Sequence, residues 1–179
     1  MTTILDARPD DRDAILAVTL AAYEQYAAAL TPPLWAAYRQ NIQATLADVG
    51  PAAQIVAEEG GALIGAVLLF PAGAVMANPG DRPAAREWPE VRLLAVAPAA
   101  RGKGVARRLM DECLHRARAA GAPALTLHTA DIMAVAMRLY ERMGFVRAPE
   151  LDIRPAPGIL AKGYKIPLTL PSPLGERVN

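Results

Sequence analysis

The stretch "VAPAARGKGVARRLMDECL", residues 96–114, leaves few folds open. An apolar strand stops at Pro98, two glycines punctuate a basic turn, and a strongly periodic segment follows at once. Its apolar residues are Ala106, Leu109, Met110, Cys113, Leu114 and Ala117. That i, i+3, i+4, i+7 spacing predicts an amphipathic helix. Its polar face carries Arg107, Arg108, Asp111, Glu112, His115, Arg116 and Arg118, and Gly121 is placed to stop it. A strand that feeds such a helix through a glycine turn belongs to a mixed α/β chain built on one sheet. A helix start also exposes unpaired N–H groups and a partial positive charge, and glycine lets backbone approach an anion. The turn "RGKG" has neither the spacing of a Walker phosphate loop nor that of a dinucleotide fingerprint. A tight turn with a solvated basic pair is the competing reading.

The rest of the chain supplies the sheet and its other cover. "TILDA" predicts a strand, and "RDAILAVTLAAYEQYAAAL" a helix that "TPP" interrupts. A second helix is expected from Leu34 to about Leu46. "AQIVAEEGGALIGAVLLF" reads as a hairpin turning at Glu59–Gly61. Pro71 to Trp88 reads as a long irregular excursion, a kind of loop that is often functional. "EVRLLAVAP" is the strongest strand, "ALTLHT" another, "AVAMRLYERMGF" a short helix ending at Gly144, and "FVRA" and "GYKIPL" two more strands. The expected organisation is one domain over 1–168 and a proline-rich tail over 169–179.

Composition closes off other classes. The 19 basic and 18 acidic residues nearly cancel, unlike the balance of a dedicated nucleic-acid binder. One cysteine and two histidines exclude a disulfide framework and a cysteine metal cluster, so no metal is expected. No apolar run reaches the roughly 20 residues of a membrane helix. The start "MTTILDARPDDRD" lacks the features of a secretion signal. A cytoplasmic protein with no nucleic-acid or membrane partner is expected.

The turn "RGKGVA", preceded by "VRLLAVAP" and followed by "LYERMGF", closely resembles the GNAT superfamily of acetyl-coenzyme A dependent N-acetyltransferases. The likeness runs from about Thr3 to Leu168, with its specific motifs in Glu90 to Phe145. It implies a mixed, mostly antiparallel central sheet of six to seven strands with about four helices on both faces. It also implies acetyl-CoA as co-substrate. The resemblance places the coenzyme pyrophosphate on Arg101, Gly102, Lys103, Gly104, Val105 and Ala106. It lays the pantetheine arm along Leu94, Ala95 and Val96, with a backbone N–H near Val96 polarising the thioester carbonyl.

Acetyl transfer to an amine needs a base, an oxyanion donor and an acid for the leaving thiolate. By resemblance, Tyr140 in "RLYERMGF" is the acid, against a plain core aromatic as the alternative. Glu90, which begins the strand, is the candidate base acting through water. Glu87, His128 and water itself remain alternatives. Many relatives carry an arm-contacting asparagine where this chain has Met133, with Asp131 nearby. Cys113 falls on the core face and is no nucleophile candidate. The acceptor site is expected between Tyr23–Leu46 and Pro71–Trp88, where Tyr26, Trp35, Tyr38, Met76 and Trp88 could line a pocket. A primary amine of a small molecule is the leading acceptor. A protein lysine or N-terminus is second, and a silent acetyl-CoA sensor is a third reading. Alanine-rich surfaces suit a homodimer, which is a family habit.

Overall fold

The computed structural model describes residues 1–76, 84–156 and 158–168, with the side chains of 76 and 156 set aside. The tail expected over 169–179 lies outside the described residues. In chain order the elements are β1 (Thr3–Asp6), α1 (Arg12–Tyr23), α2 (Pro32–Ala47), β2 (Ala53–Glu59), β3 (Ala62–Phe70), β4 (Val75–Met76) and β5 (Ala84–Ala85). There follow β6 (Glu90–Val96), α3 (Val105–Ala119), β7 (Ala124–Thr129), α4 (Ala134–Arg142), β8 (Val146–Arg147), β9 (Ile153–Ala156) and β10 (Ile159–Pro167).

The main sheet runs β1-β2-β3-β6-β7-β10-β8, with β9 added on β10. Every neighbouring pair is antiparallel except β6 and β7. Alternation along the strands divides the apolar residues between two faces. On one, Val91, Leu125, Leu127 and Tyr164 pack with the apolar stripe of α3 and with Tyr140 of α4. On the other, Val56, Ala66, Leu68, Phe70 and Ala95 pack against Ile15, Val18 and Ala22 of α1 and Ile42 and Leu46 of α2. The expected sandwich of one sheet between helices is thus realised.

Three local differences from the sequence reading have physical causes. The first helix stops at Tyr23 and tightens into a 3₁₀ segment over Glu24–Ala29. No glycine or proline ends it. At its end the Ala22 carbonyl accepts from Gln25 Nε2 at 2.8 Å and from the Arg101 guanidinium, which reaches across the fold, at 3.0 Å, at the negative end of the helix dipole. The second helix begins at Pro32, since proline suits the first helical turn, where its missing N–H costs nothing. The excursion after β3 contains a small antiparallel ladder, Val75 opposite Ala85 and Met76 opposite Ala84.

β6 carries the feature that shapes the site. It pairs with β7 only at Glu90–Thr126 and Val91–Leu127, then leaves it. On its other edge the register with β3 slips by one residue between Arg92 and Ala95. Leu93 sits in that bulge with a left-handed φ of 51°. A leucine held there costs about 1–2 kcal/mol, so the surrounding packing must impose it. Leu93 itself packs on the α1–α2 core, while Leu94 and Val96 pack toward α3.

Candidate active site

The splay of β6 and β7 opens a wedge that closes at Glu90 and Val91. Ala97 donates its N–H to Ile64 at 2.9 Å, toward β3. Successive N–H groups in a strand point to opposite edges. The N–H groups of Leu94 and Val96 therefore point to the edge that β7 has vacated. Ala95, between them, turns its N–H toward β3 and its side chain into the α1–α2 core, opposite Ala66.

At the wide end of the wedge lies the turn before α3. Gly102 and Gly104 are both left-handed, φ 76° and 78°, and open space surrounds the position a Cβ would take at either. Gly104 is the N-cap of α3, and no side chain caps that helix start. Arg108 donates to the Gly104 carbonyl to begin the helix ladder, so the N–H groups ahead of it face outward unpartnered, as at any helix start. Lys103 is exposed and Val105 is buried under the turn. The Arg101 side chain is occupied with Ala22, which braces the turn against α1. A glycine cradle, an uncapped helix start and a strand edge with free donors fit a phosphate followed by an extended, amide-bearing arm. Among the described residues no group of acidic, histidine or cysteine side chains could hold a metal ion. No described helix is long and apolar enough to cross a membrane.

Tyr140 projects from α4 and is 7% exposed, its ring edge-on to Phe145 at 5.9 Å. Burial, with Tyr23 and Tyr26 adding to it, pushes its hydroxyl well above the ordinary phenol value. The group therefore stays in the O–H form an acid requires. Met133 is the N-cap of α4 and packs on the α1–α2 core. Its 3₁₀ turn, Asp131–Met133, touches the 3₁₀ segment that follows α1. Cys113 is fully buried, and burial pushes its thiol up to about 12; it is inert at neutral pH.

Glu90 is 3% exposed at the closed end of the wedge, on the α1–α2 face. One carboxylate oxygen lies 3.3 Å from Arg86 Nε; the other lies 3.5 Å from His128 Nδ1 and 4.0 Å from Arg92 Nε. Burial works to raise its pKa, but the His128 hydrogen bond and the charges of Arg86 and Arg92 outweigh that and hold it below the ordinary value. His128 Nε2 lies 2.7 Å from the Leu151 carbonyl. A carbonyl only accepts, so Nε2 carries a proton and Nδ1 faces Glu90. Two residues read as rival bases are thus joined across β6 and β7. The third, Glu87, is exposed.

The aromatic residues expected at the acceptor site divide. Tyr23, Tyr26, Tyr38 and Trp35 form one continuous wall, with ring centroids 5.8, 5.8 and 6.2 Å apart along it. Trp88 stands apart under Lys165 Nζ, at 4.7 Å. The Met76 side chain lies outside the described residues. Arg86 and Arg92 were not expected there: an arginine at a strand start reads as a solvated charge, and only the sheet order reveals what lies opposite it.

Comparison with known proteins bears on the whole arrangement. Residues 18–145 match the family model for the acetyltransferase (GNAT) family. This chain belongs to that family. A curated relative, an IAA acetyltransferase of Azospirillum brasilense, is 43% identical over 56 residues. That match spans 31% of this chain and about a third (37%) of the relative's length. Among solved structures, an acetyltransferase of the GNAT family from Staphylococcus aureus Mu50 superposes with a TM-score of 0.70 at 13% identity, covering 94% of this chain and 100% of that one. A GNAT family acetyltransferase from Brucella melitensis, solved in complex with acetyl-CoA, superposes with a TM-score of 0.63 at 24% identity, over 98% and 94%. At these identities the likeness is one of fold.

Proposed function

We propose that the protein is an N-acetyltransferase that moves an acetyl group from acetyl-CoA to a primary amine of a small molecule in a ternary complex. The observation that carries this reading is the wedge between β6 and β7, flanked by the uncapped start of α3 and by Tyr140. When bound, acetyl-CoA supplies an activated thioester. Gly102 to Ala106 offer backbone N–H groups to its pyrophosphate, and the left-handed glycines allow close approach. Leu94 and Val96 offer N–H groups along the wedge, as an added strand would be received. One of these donors, near Val96, stabilises charge growing on the carbonyl oxygen.

The acceptor must lose a proton before its nitrogen can form the new C–N bond. Glu90 alone is a weak base, because its cationic surroundings favour the carboxylate. Paired with His128, it becomes part of a unit in which Nδ1, left as the basic nitrogen by the Nε2–H bond to Leu151, takes the acceptor's proton, and the Glu90 carboxylate then accepts from the Nδ1–H and stabilises the imidazolium. As the C–S bond breaks, the Tyr140 hydroxyl donates to the departing sulfur.

The test is a thiol-release assay over a panel of amines, with calorimetric titration of acetyl-CoA beside it. Wild type should bind acetyl-CoA and release thiol with some amine. Tyr140→Phe should bind it equally and turn over about a hundredfold or more slowly. Coenzyme binding without turnover of any amine would favour a sensor, and undiminished turnover by Tyr140→Phe would remove the tyrosine from the chemistry.

A further inference from the structure

On the acceptor side of the wedge, Arg92 makes only a long ion-pair contact with Glu90. Two guanidinium groups, Arg86 and Arg92, flank a single buried carboxylate, Glu90. That carboxylate is already served at shorter range by Arg86 and His128. Arg92 is left with a 4.0 Å contact through Nε and a position 6.0 Å above the Phe70 ring. Its side chain is only 21% exposed, so its charge is substantially removed from water. A guanidinium so placed presents a planar fork of donors suited to a carboxylate.

What surrounds Arg92 sets the shape of that ligand. Arg92 lies over Phe70, which packs in the same α1–α2 cluster as Tyr23, Tyr38 and Trp35 of the aromatic wall. Tyr38, Tyr23 and Tyr26 are in turn within electrostatic reach of Tyr140. The cation and the aromatic wall therefore lie on one face of the sheet, joined through Phe70.

We infer that the acceptor is an amino carboxylate: a small molecule whose amine is acetylated while its carboxylate is held by Arg92 and its apolar or aromatic body lies on the Tyr23–Tyr38–Trp35 wall. This deepens, and rests on, the transferase reading above. The sequence could not show it, because Arg92 and the tyrosines are some fifty residues or more apart and meet only through the packing of α1 and α2 on β6.

The test uses matched acceptors: L-phenylalanine, L-tryptophan, L-leucine and L-methionine, each beside its carboxamide and its decarboxylated amine. Thiol release is compared at equal concentration of neutral amine, and each compound is also titrated calorimetrically into the CoA-loaded protein. At least one amino acid should surpass both its partners by about tenfold or more in kcat/KM, the scale of one hydrogen-bonded charge pair. Arg92→Gln should shrink that advantage by raising KM for the acid, and Arg92→Lys, which keeps the charge but not the fork, should restore part of it. Tight binding of the acids without turnover of any compound would uphold the carboxylate site and overturn the transferase reading. Carboxamides or simple amines that bind and react as well as the acids, or acids that do not bind at all, would overturn the inference and leave acetyl transfer standing wherever amines are acetylated.

Discussion

Gly104 and Gly121 bracket α3, and the two provide a matched pair for testing what the turn holds. Both are left-handed, φ 78° and 70°, and a Cβ at either would meet nothing within 4 Å. Gly121 closes the helix in a Schellman arrangement, with Ala122 N–H bonded to Ala117 and Gly121 N–H to Arg118. Alanine at either position should cost the same backbone strain, about 1–2 kcal/mol. For a chain of this size that lowers Tm by roughly 2–8 °C. The ligand consequences should differ. At Gly104 the new methyl group stands where a pyrophosphate would approach the first N–H groups of α3. Losing one charge-assisted hydrogen bond costs about 1.5–3 kcal/mol, which is roughly ten- to a hundredfold in Kd. Calorimetric titration of CoA into wild type, Gly104→Ala and Gly121→Ala, with melting curves alongside, separates the effects. Equal Tm losses with weakened binding only in Gly104→Ala is the expected outcome. Unchanged CoA affinity in Gly104→Ala, or an equal loss in Gly121→Ala, would refute the assignment of the pyrophosphate to this turn.

Two further perturbations follow from the pairing around Glu90. Because its folded-state pKa is held below the ordinary carboxylate value, Glu90 contributes stability that is present above that ordinary value, about 4.3. The contribution is lost as pH falls through the lowered folded value. The Tm difference between wild type and Glu90→Gln should therefore be widest near pH 7 and shrink toward pH 3, and a difference that grew with acid would show the sign to be wrong. Gly163 pairs with His128 across β7 and β10, and a Cβ there would stand 2.8 Å from the Ala148 carbonyl and closer still to Leu151 Cβ. Gly163→Ala should cost about 1–3 kcal/mol as the 149–151 turn is pushed off the sheet. It should also change the imidazole NMR signals of His128, whose Nε2 is held by Leu151; signals left in place would mean the turn absorbs the methyl without moving.

Much of this arrangement was legible in the sequence, and the boundary of what was legible is physical. The α3 stripe from Leu109 to Ala117 and the glycines around Lys103 announce themselves because helix period and left-handed turns depend on neighbours a few residues away. Tyr140 stood out only through its surrounding motif, since a buried tyrosine on a helix has the same local pattern whatever it does. The contact of Glu90 with His128 was not legible: 38 positions separate them, and their meeting depends on β6 lying beside β7. Arg86 and Arg92 escaped for the same reason. The contact of Arg101 with Ala22 at the end of the first helix was also beyond local reading, since it comes from the far side of the fold. β9 went unread because Ile153–Ala156 contains a proline and has β10 as its partner strand.

The bulge at Leu93 has a consequence for how a single strand can serve two ligands. A regular strand locks side-chain direction to residue parity, so Glu90, Arg92, Leu94 and Val96 would all face the same way. The extra residue advances the phase by half a period midway along β6. Glu90 and Arg92 keep the face that meets α1 and α2, while Leu94 and Val96 turn to the α3 face. The adjacent apolar pair "LL" at 93 and 94 is the trace of that phase change in the sequence. Deleting Leu93 would remove no functional group, yet it would rotate one half of the strand against the other and send either the charged pair or the leucine–valine pair to the wrong layer.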